Sequence, residues 1–247
     1  MIQAITFDFW DCIAIDDSDE PKRAAAGLPS KSVARAELFT DEVLAHHPGI
    51  GIDRATDGYE ATERIFRHHW KVEHHTPSVA DRLAAGFEFL EIARTPGFDD
   101  MVDSFSMMEV RIPPDPVPDA QAIIRELAGR YPLGIVSDAI VTPGSGLRMI
   151  LDSWGILDCF SHFVFSDEAG AAKPARRVFD LASAGLDCPL PNLVHIGDRE
   201  SNDIIGPRDA GAHAILLTAS IDRGRAGTRA SAICERYIDL PAIVASL

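Results

Sequence analysis

The second half of the chain alternates short apolar runs with helix-length segments, and each apolar run stops at a hydroxyl or acidic residue. The runs are LGIVSD (133–138), HFVFSDE (162–168), LVHIGD (193–198) and HAILLT (213–218), and IQAITFDF (2–9) opens the chain in the same way. GSGLRMILDSWGI, PARRVFDLASAGL and DIIGPRDAG lie between them and read as helices. Asp119 is expected to cap a helix carrying Ala120, Ile123, Ile124 and Leu127 on one face, and a last helix is expected from near Pro241. Strands alternating with helices build a parallel sheet through right-handed crossovers. Both faces of such a sheet are covered, so the strands should be apolar throughout, and these runs largely are.

Residues 32–92 follow a different rhythm. SVARAELFTDEVLAHH, DGYEATERIFRHHWKVEHH and SVADRLAAGFEFLEIA carry apolar residues at mixed three and four spacing, with no strand between them. Ser78 suits an N-cap, with Asp81 in the first turn. IDDSDEPKRAAAGLPSK, before these helices, reads as a loop, its acidic stretch at residues 16–20 solvated and close to a hinge. IPPDPVPDA, after them, holds Pro113, Pro114, Pro116 and Pro118, which cannot continue a helix and make a stiff extended return. The expected fold is therefore α/β: a Rossmann-like three-layer core with a parallel sheet, formed by residues 1–15 and 113–247, plus an inserted helical cap over residues 16–112.

Bulk properties exclude several function classes. A net charge of -15 argues against a nucleic-acid binder, whose affinity needs clustered Lys and Arg. No apolar run is long enough to span a bilayer, and the first residues lack the basic region and cleavage site of a signal peptide, so no membrane partner is expected. The four cysteines are scattered, without a C-x-x-C pair, which fits a reducing cytoplasm better than a disulfide framework or a zinc site. No motif addresses oligomeric state.

Ligands of open parallel sheets bind beyond the carboxyl ends of the strands, so the chemistry is sought there. Asp8 follows the first run, Ser137 and Asp138 the second, and Asp198 the fourth, with Asp203 five residues further on. Lys173 follows the Ser166-Asp167-Glu168 end of the third. Clustered carboxylates with room for water suit Mg²⁺, a hard cation that prefers oxygen. A lysine beside them holds phosphate, and a Ser hydroxyl takes phosphate oxygens. Asp8 could then attack phosphorus and form an aspartyl-phosphate that water hydrolyses.

These residues, in this order, resemble the haloacid dehalogenase-like (HAD) hydrolase superfamily over most of the chain. ITFDFWDCI stands for its first motif, LGIVSDA for the second, KPARRVF for the third and IGDRESNDIIGPRDAGA for the fourth. The resemblance implies a C1-type cap, Asp8 as nucleophile, Ser137 as phosphate-binding residue and Lys173 as the bridge between phosphate and Asp8. It implies a Mg²⁺ site made by Asp8, the Trp10 carbonyl and Asp198, with Asp203 in support, and a small phosphorylated metabolite as substrate.

One departure matters. The family's phosphatases place a second Asp two residues after the nucleophile as general acid and base; here Trp10 stands there, and Cys12 replaces the usual Thr. General acid–base help is worth ~10²–10⁴-fold in rate, so a slow phosphatase, one using a good leaving group, or one with another proton-transfer group is implied. Asp11 is expected to point elsewhere, as a turn residue. The family's 2-haloacid dehalogenases also carry an aromatic residue at that position, but generally lack the first acid of the fourth motif. The retained Asp198 favours phosphoryl chemistry over dehalogenation. A weakly active binding or regulatory protein of the same fold is a further alternative.

The pairs His46-His47, His68-His69 and His74-His75 read as exposed or half-buried histidines rather than a metal site, since neighbours do not share a helix face. His68 or His69 is in reach of Val72 or Glu73 rather than of another histidine, and Phe66 and Trp70 are expected to pack inward.

Overall fold

A computed structural model describes residues 1–247. Six strands form one parallel sheet: β1 (Ala4–Phe7), β2 (Leu133–Ser137), β3 (His162–Phe165), β4 (Leu193–Gly197), β5 (His213–Leu217) and β6 (Ala232–Cys234), in the order β3-β2-β1-β4-β5-β6. The order reverses at β1, so the crevice beyond β1 and β4 is the place such a topology offers a ligand. β6 is an addition to the expected strands; it is too short to show a pattern in the sequence.

The helices are α1 (Glu20–Ala25), α2 (Lys31–His46), α3 (Ile52–Val72), α4 (Val79–Leu90), α5 (Phe98–Ser106), α6 (Met108–Arg111), α7 (Ala120–Ala128), α8 (Gly144–Ser153), α9 (Ser166–Ala169), α10 (Arg176–Gly185), α11 (Gly206–Ala210) and α12 (Leu240–Ala245). None is long and apolar enough to cross a membrane. Adjacent strand residues serve opposite faces, as the two-residue period of a strand requires. Ile135 belongs to the same buried cluster as Ile124 and Leu127 of α7 and Leu147 and Leu151 of α8. Its neighbour Val136 packs with Val178 and Phe179 of α10 and Ala210 of α11.

Helices α2 to α5 keep a hydrophobic cluster of their own, built on Phe39, Val43, Leu83, Phe87, Phe98 and Phe105. Gly86 permits this packing: a Cβ there would lie 2.6 Å from the Phe39 ring and 2.5 Å from a Thr62 methyl. Chain entry and return run side by side. Ile15 N–H donates to the Asp115 carbonyl at 2.9 Å, and Val117 N–H to the Ile13 carbonyl at 2.8 Å.

Local readings fared unevenly. Ser78 caps α4, accepting the Asp81 N–H at 3.1 Å. Asp119 does not cap α7: its backbone is left-handed, with φ of 66°, and its side chain accepts no capping bond. The segment read as a loop before residue 32 contains α1, opened by Pro21 in the first turn. Nor is its acidic stretch wholly solvated. Asp19 is fully buried and pairs with the buried Lys31 at 2.7 Å, and Lys31 also meets Glu109 at 2.9 Å and the exposed Asp17 at 3.1 Å.

Candidate active site

β1 ends under Asp8, whose backbone N–H donates to the Ile196 carbonyl of β4 at 2.8 Å. β2 ends in Ser137 on one side of it, and Asp198 follows β4 on the other. Lys173 comes from the loop before α10 and is almost wholly buried. Its ammonium lies 2.8 Å from Asp8 Oδ1 and 2.6 Å from Asp203 Oδ1. Burial opposes the lysine's charge, but Asp203, Asp8 and Asp138 outweigh it and raise its pKa. The lysine is therefore a fixed positive charge against the Asp8 carboxylate.

Asp203 is held on every side. Oδ1 meets Lys173 and, at 3.2 Å, Nε2 of His195, while Oδ2 accepts the Arg199 N–H at 2.9 Å. Gly197 makes room for it, because a Cβ there would fall 2.4 Å from Asp203 Cγ. Burial would raise the Asp203 pKa; Lys173 and His195 overcome this and hold it far below the usual carboxylate range. Burial lowers the His195 pKa, so its ring is neutral. With the ionised Asp203 as acceptor, Nε2 carries the proton and Nδ1 accepts from Thr6 Oγ1 at 2.9 Å.

Oxygen atoms of Asp8, Asp198 and Asp203 lie within 4.8 Å of one another, an arrangement able to hold a metal ion. Asp198 Oδ1 is buried and without a partner. Burial, then the charges of Asp8 and Asp203, push the Asp198 pKa up to about 7. An orphaned oxygen on a carboxylate that resists ionising is what a cation would satisfy. Ser137 Oγ is likewise buried and unpartnered. The predicted residues Asp8, Ser137, Lys173, Asp198 and Asp203 thus come to one end of the sheet. Trp10 is half-buried beside them and shares a cavity of about 200 Å³ with Asp8 and Lys173.

Sequence reasoning missed several neighbours. Trp70 does more than pack inward. It stacks near Phe66, lines the same cavity, and donates its indole N–H to Asp138 Oδ2 at 3.0 Å. Asp138 also accepts from Asn202 at 3.2 Å and from the Lys173 N–H at 2.9 Å. Asp11 adopts the turn conformation expected, with φ of 53°, but it does not stand apart. Arg223, in the loop after β5, joins it to the site, meeting Asp11 Oδ2 at 2.5 Å and Asp198 Oδ2. His68 and His69 both meet Glu73, at 3.3 and 2.7 Å, and the histidine pairs form no metal cluster. Cys12 is fully buried, and burial raises its thiol pKa, which makes it an inert core residue.

Residues 2–211 match the profile of the haloacid dehalogenase-like hydrolases. Over 106 residues the chain is 30% identical to pyrimidine 5'-nucleotidase YjjG of Escherichia coli (strain K12), which covers 42% of this chain and 45% of that protein. The matched stretches span about half or less of the curated relatives' length. Among solved structures, a HAD phosphatase from Thermococcus onnurineus superposes with a TM-score of 0.65 at 20% identity, covering 98% of each chain. A 2-haloacid dehalogenase from Pseudomonas syringae pv. Tomato DC3000 also superposes at 0.65, with 19% identity over 100% of this chain and 99% of that one. Equal likeness to both leaves the choice of chemistry to the side chains.

Proposed function

Because this chain belongs to the haloacid dehalogenase-like hydrolases, we propose that it is a Mg²⁺-dependent phosphatase of a small phosphorylated metabolite, acting through an aspartyl-phosphate on Asp8. The observation that carries this reading is the pair of orphaned buried oxygens, Ser137 Oγ and Asp198 Oδ1, at the strand ends flanking Asp8. One suits a phosphate oxygen and the other a cation. A dehalogenase attacking carbon has no evident use for the second.

Asp8 is the nucleophile, and Lys173 keeps it ionised and offsets the charge of the incoming phosphate. Ser137 donates to a phosphoryl oxygen. Asp8, Asp198 and the Trp10 carbonyl would hold Mg²⁺, with all-oxygen donors that suit it. When bound, the ion neutralises phosphoryl charge. Asp203, both of whose oxygens are engaged, fixes Lys173 and lies at the edge of the cation set rather than offering a free oxygen. Residues 16–112 act as a cap over residues 1–15 and 113–247, narrowing the cavity and excluding water.

Hydrolysis of p-nitrophenyl phosphate with and without Mg²⁺ tests the proposal. The expected result is turnover that EDTA abolishes and Mg²⁺ restores. Metal-independent chloride release from 2-chloropropionate, with no phosphatase activity, would assign the site to dehalogenation instead.

A further inference from the structure

The cavity beside Asp8 has about 200 Å³, below the roughly 300–1,000 Å³ usual for ligand pockets, so the group attached to phosphate is compact. Its apolar walls are Trp10, Trp70, Ile140 and Val141. Its carboxylates, apart from Asp8 and Asp16, are already committed. Asp138 accepts hydrogen bonds on both oxygens, from Lys173 N–H on one and from Trp70 and Asn202 on the other. Glu109 accepts from Lys31 and Arg35 on Oε1 and from Thr142 on Oε2. Burial would raise the Glu109 pKa, but Arg35 and Lys31 hold it below its ordinary value. Asp17 faces Lys31. Lys173 is clamped between the Asp8 and Asp203 carboxylates. Asp16 is the one remaining carboxyl; desolvation and the neighbouring Asp17 charge push its pKa up to about 6, but it sits in an exposed position at the rim, accepting the Asp17 N–H.

Resting on the phosphatase reading of the Asp8 site, we propose that the substrates are aryl phosphates, esters of a phenolic hydroxyl whose ring lies against Trp10 and Trp70. A site whose buried carboxyls are all paired, and whose one unpaired carboxyl stands exposed at the rim, favours an oxygen that departs without a proton, and indole walls favour an aromatic ring. In the first step an Asp8 oxygen bonds to phosphorus, and the phosphorus–oxygen bond to the ring breaks. The electron pair leaves as phenolate, which takes a proton from solvent. In the second step water attacks the phosphoryl group, releases one proton to solvent and returns Asp8 as carboxylate with free phosphate.

The test is kcat/KM for ring-substituted phenyl phosphates and for alkyl phosphates of similar size, measured with Mg²⁺. The wild-type rate is expected to rise steeply with leaving-group acidity, with phenyl preferred over alkyl esters by roughly 10²–10⁴-fold, the usual worth of a general acid. Trp10→Asp should flatten that slope, and Asp16→Asn should leave it unchanged. A fluorinated alkyl phosphate of phenol-like leaving-group acidity should be turned over more slowly than phenyl phosphate. A flat wild-type slope, a slope that steepens in Asp16→Asn, or equal rates for those two esters would overturn the inference while leaving Asp8-dependent phosphatase activity standing. Absence of hydrolysis for every ester would defeat the phosphatase reading. Binding of phenylphosphonate, read by tryptophan fluorescence and lost in Trp70→Leu, is expected in either case; no binding would defeat the aromatic subsite independently.

Discussion

The indole N–H of Trp70 donates to Asp138 at 3.0 Å. This one bond ties α3 to the strand end beside Ser137. Asp138 passes the constraint on, since its other oxygen accepts the backbone N–H of Lys173. The position of α3 and the position of the lysine are therefore linked through a single buried carboxylate.

Trp70→Phe keeps an aromatic ring, though a smaller one, and removes the donor. Hydrogen bonds to charged groups contribute about 1.5–3 kcal/mol, and Asn202 continues to serve the same oxygen. A loss of about 1–2 kcal/mol is expected, read as a lower urea midpoint with an unchanged m-value. An unchanged midpoint would show that the bond holds nothing in place.

Lys173→Met removes the cation from Asp8 and Asp203. Breaking a buried pair by deleting one partner costs about 3–5 kcal/mol. Thermal denaturation should show this loss together with loss of phosphatase activity. A variant as stable as the wild type would mean that the carboxylates find another counter-charge.

The Asp198 carboxyl predicts how Mg²⁺ binding depends on pH. Its pKa, raised to about 7 by burial and by Asp8 and Asp203, lies above the ordinary 3.8 of the unfolded chain. Between those values the folded state binds the extra proton, so this group makes the metal-free protein less stable as pH rises. A cation must displace that proton, so its stabilising effect grows as pH passes through about 7. The rise in Tm on adding Mg²⁺ should be small at mildly acidic pH and larger at mildly alkaline pH. Equal increments would remove Asp198 from the metal site.

Arg223→Ala separates the loop after β5 from the site. The side chain is about one-third exposed, which discounts its ion pairs with Asp11 and Asp198 to about 1–2 kcal/mol. The metal-free variant should melt lower. Its Mg²⁺-induced increment should be larger, because Asp198 then has no competing cation. A smaller increment would show that Arg223 helps to build the metal site.

The core and its strand ends were legible because a two-sided parallel sheet forces apolar runs, and ligand residues must follow them. Asp8, Ser137, Asp198 and Lys173 announce themselves that way, and Asp203 through its spacing from Asp198. Asp138 was visible as the residue after Ser137, but its role depends on three donors distant in sequence. Trp70 was read from helix spacing, which gives a face and not what the face meets. Arg223 lies in a polar loop, SIDRGRAG, with no pattern to mark it. His195 did leave a sign, as the one polar side chain inside the apolar strand LVHIG. The acidic stretch misled because Lys31, which buries Asp19, is twelve residues away on the next long helix.

The most direct measurement is mass spectrometry of the peptide containing Asp8 after acid quenching of the enzyme during turnover of p-nitrophenyl phosphate with Mg²⁺. The account predicts one phosphoryl group on Asp8, removed by hydroxylamine and absent in Asp8→Asn, which should show no turnover. Sustained turnover in Asp8→Asn, a phosphoryl group on another residue, or Asp8 alkylated by 2-chloropropionate without metal would contradict it.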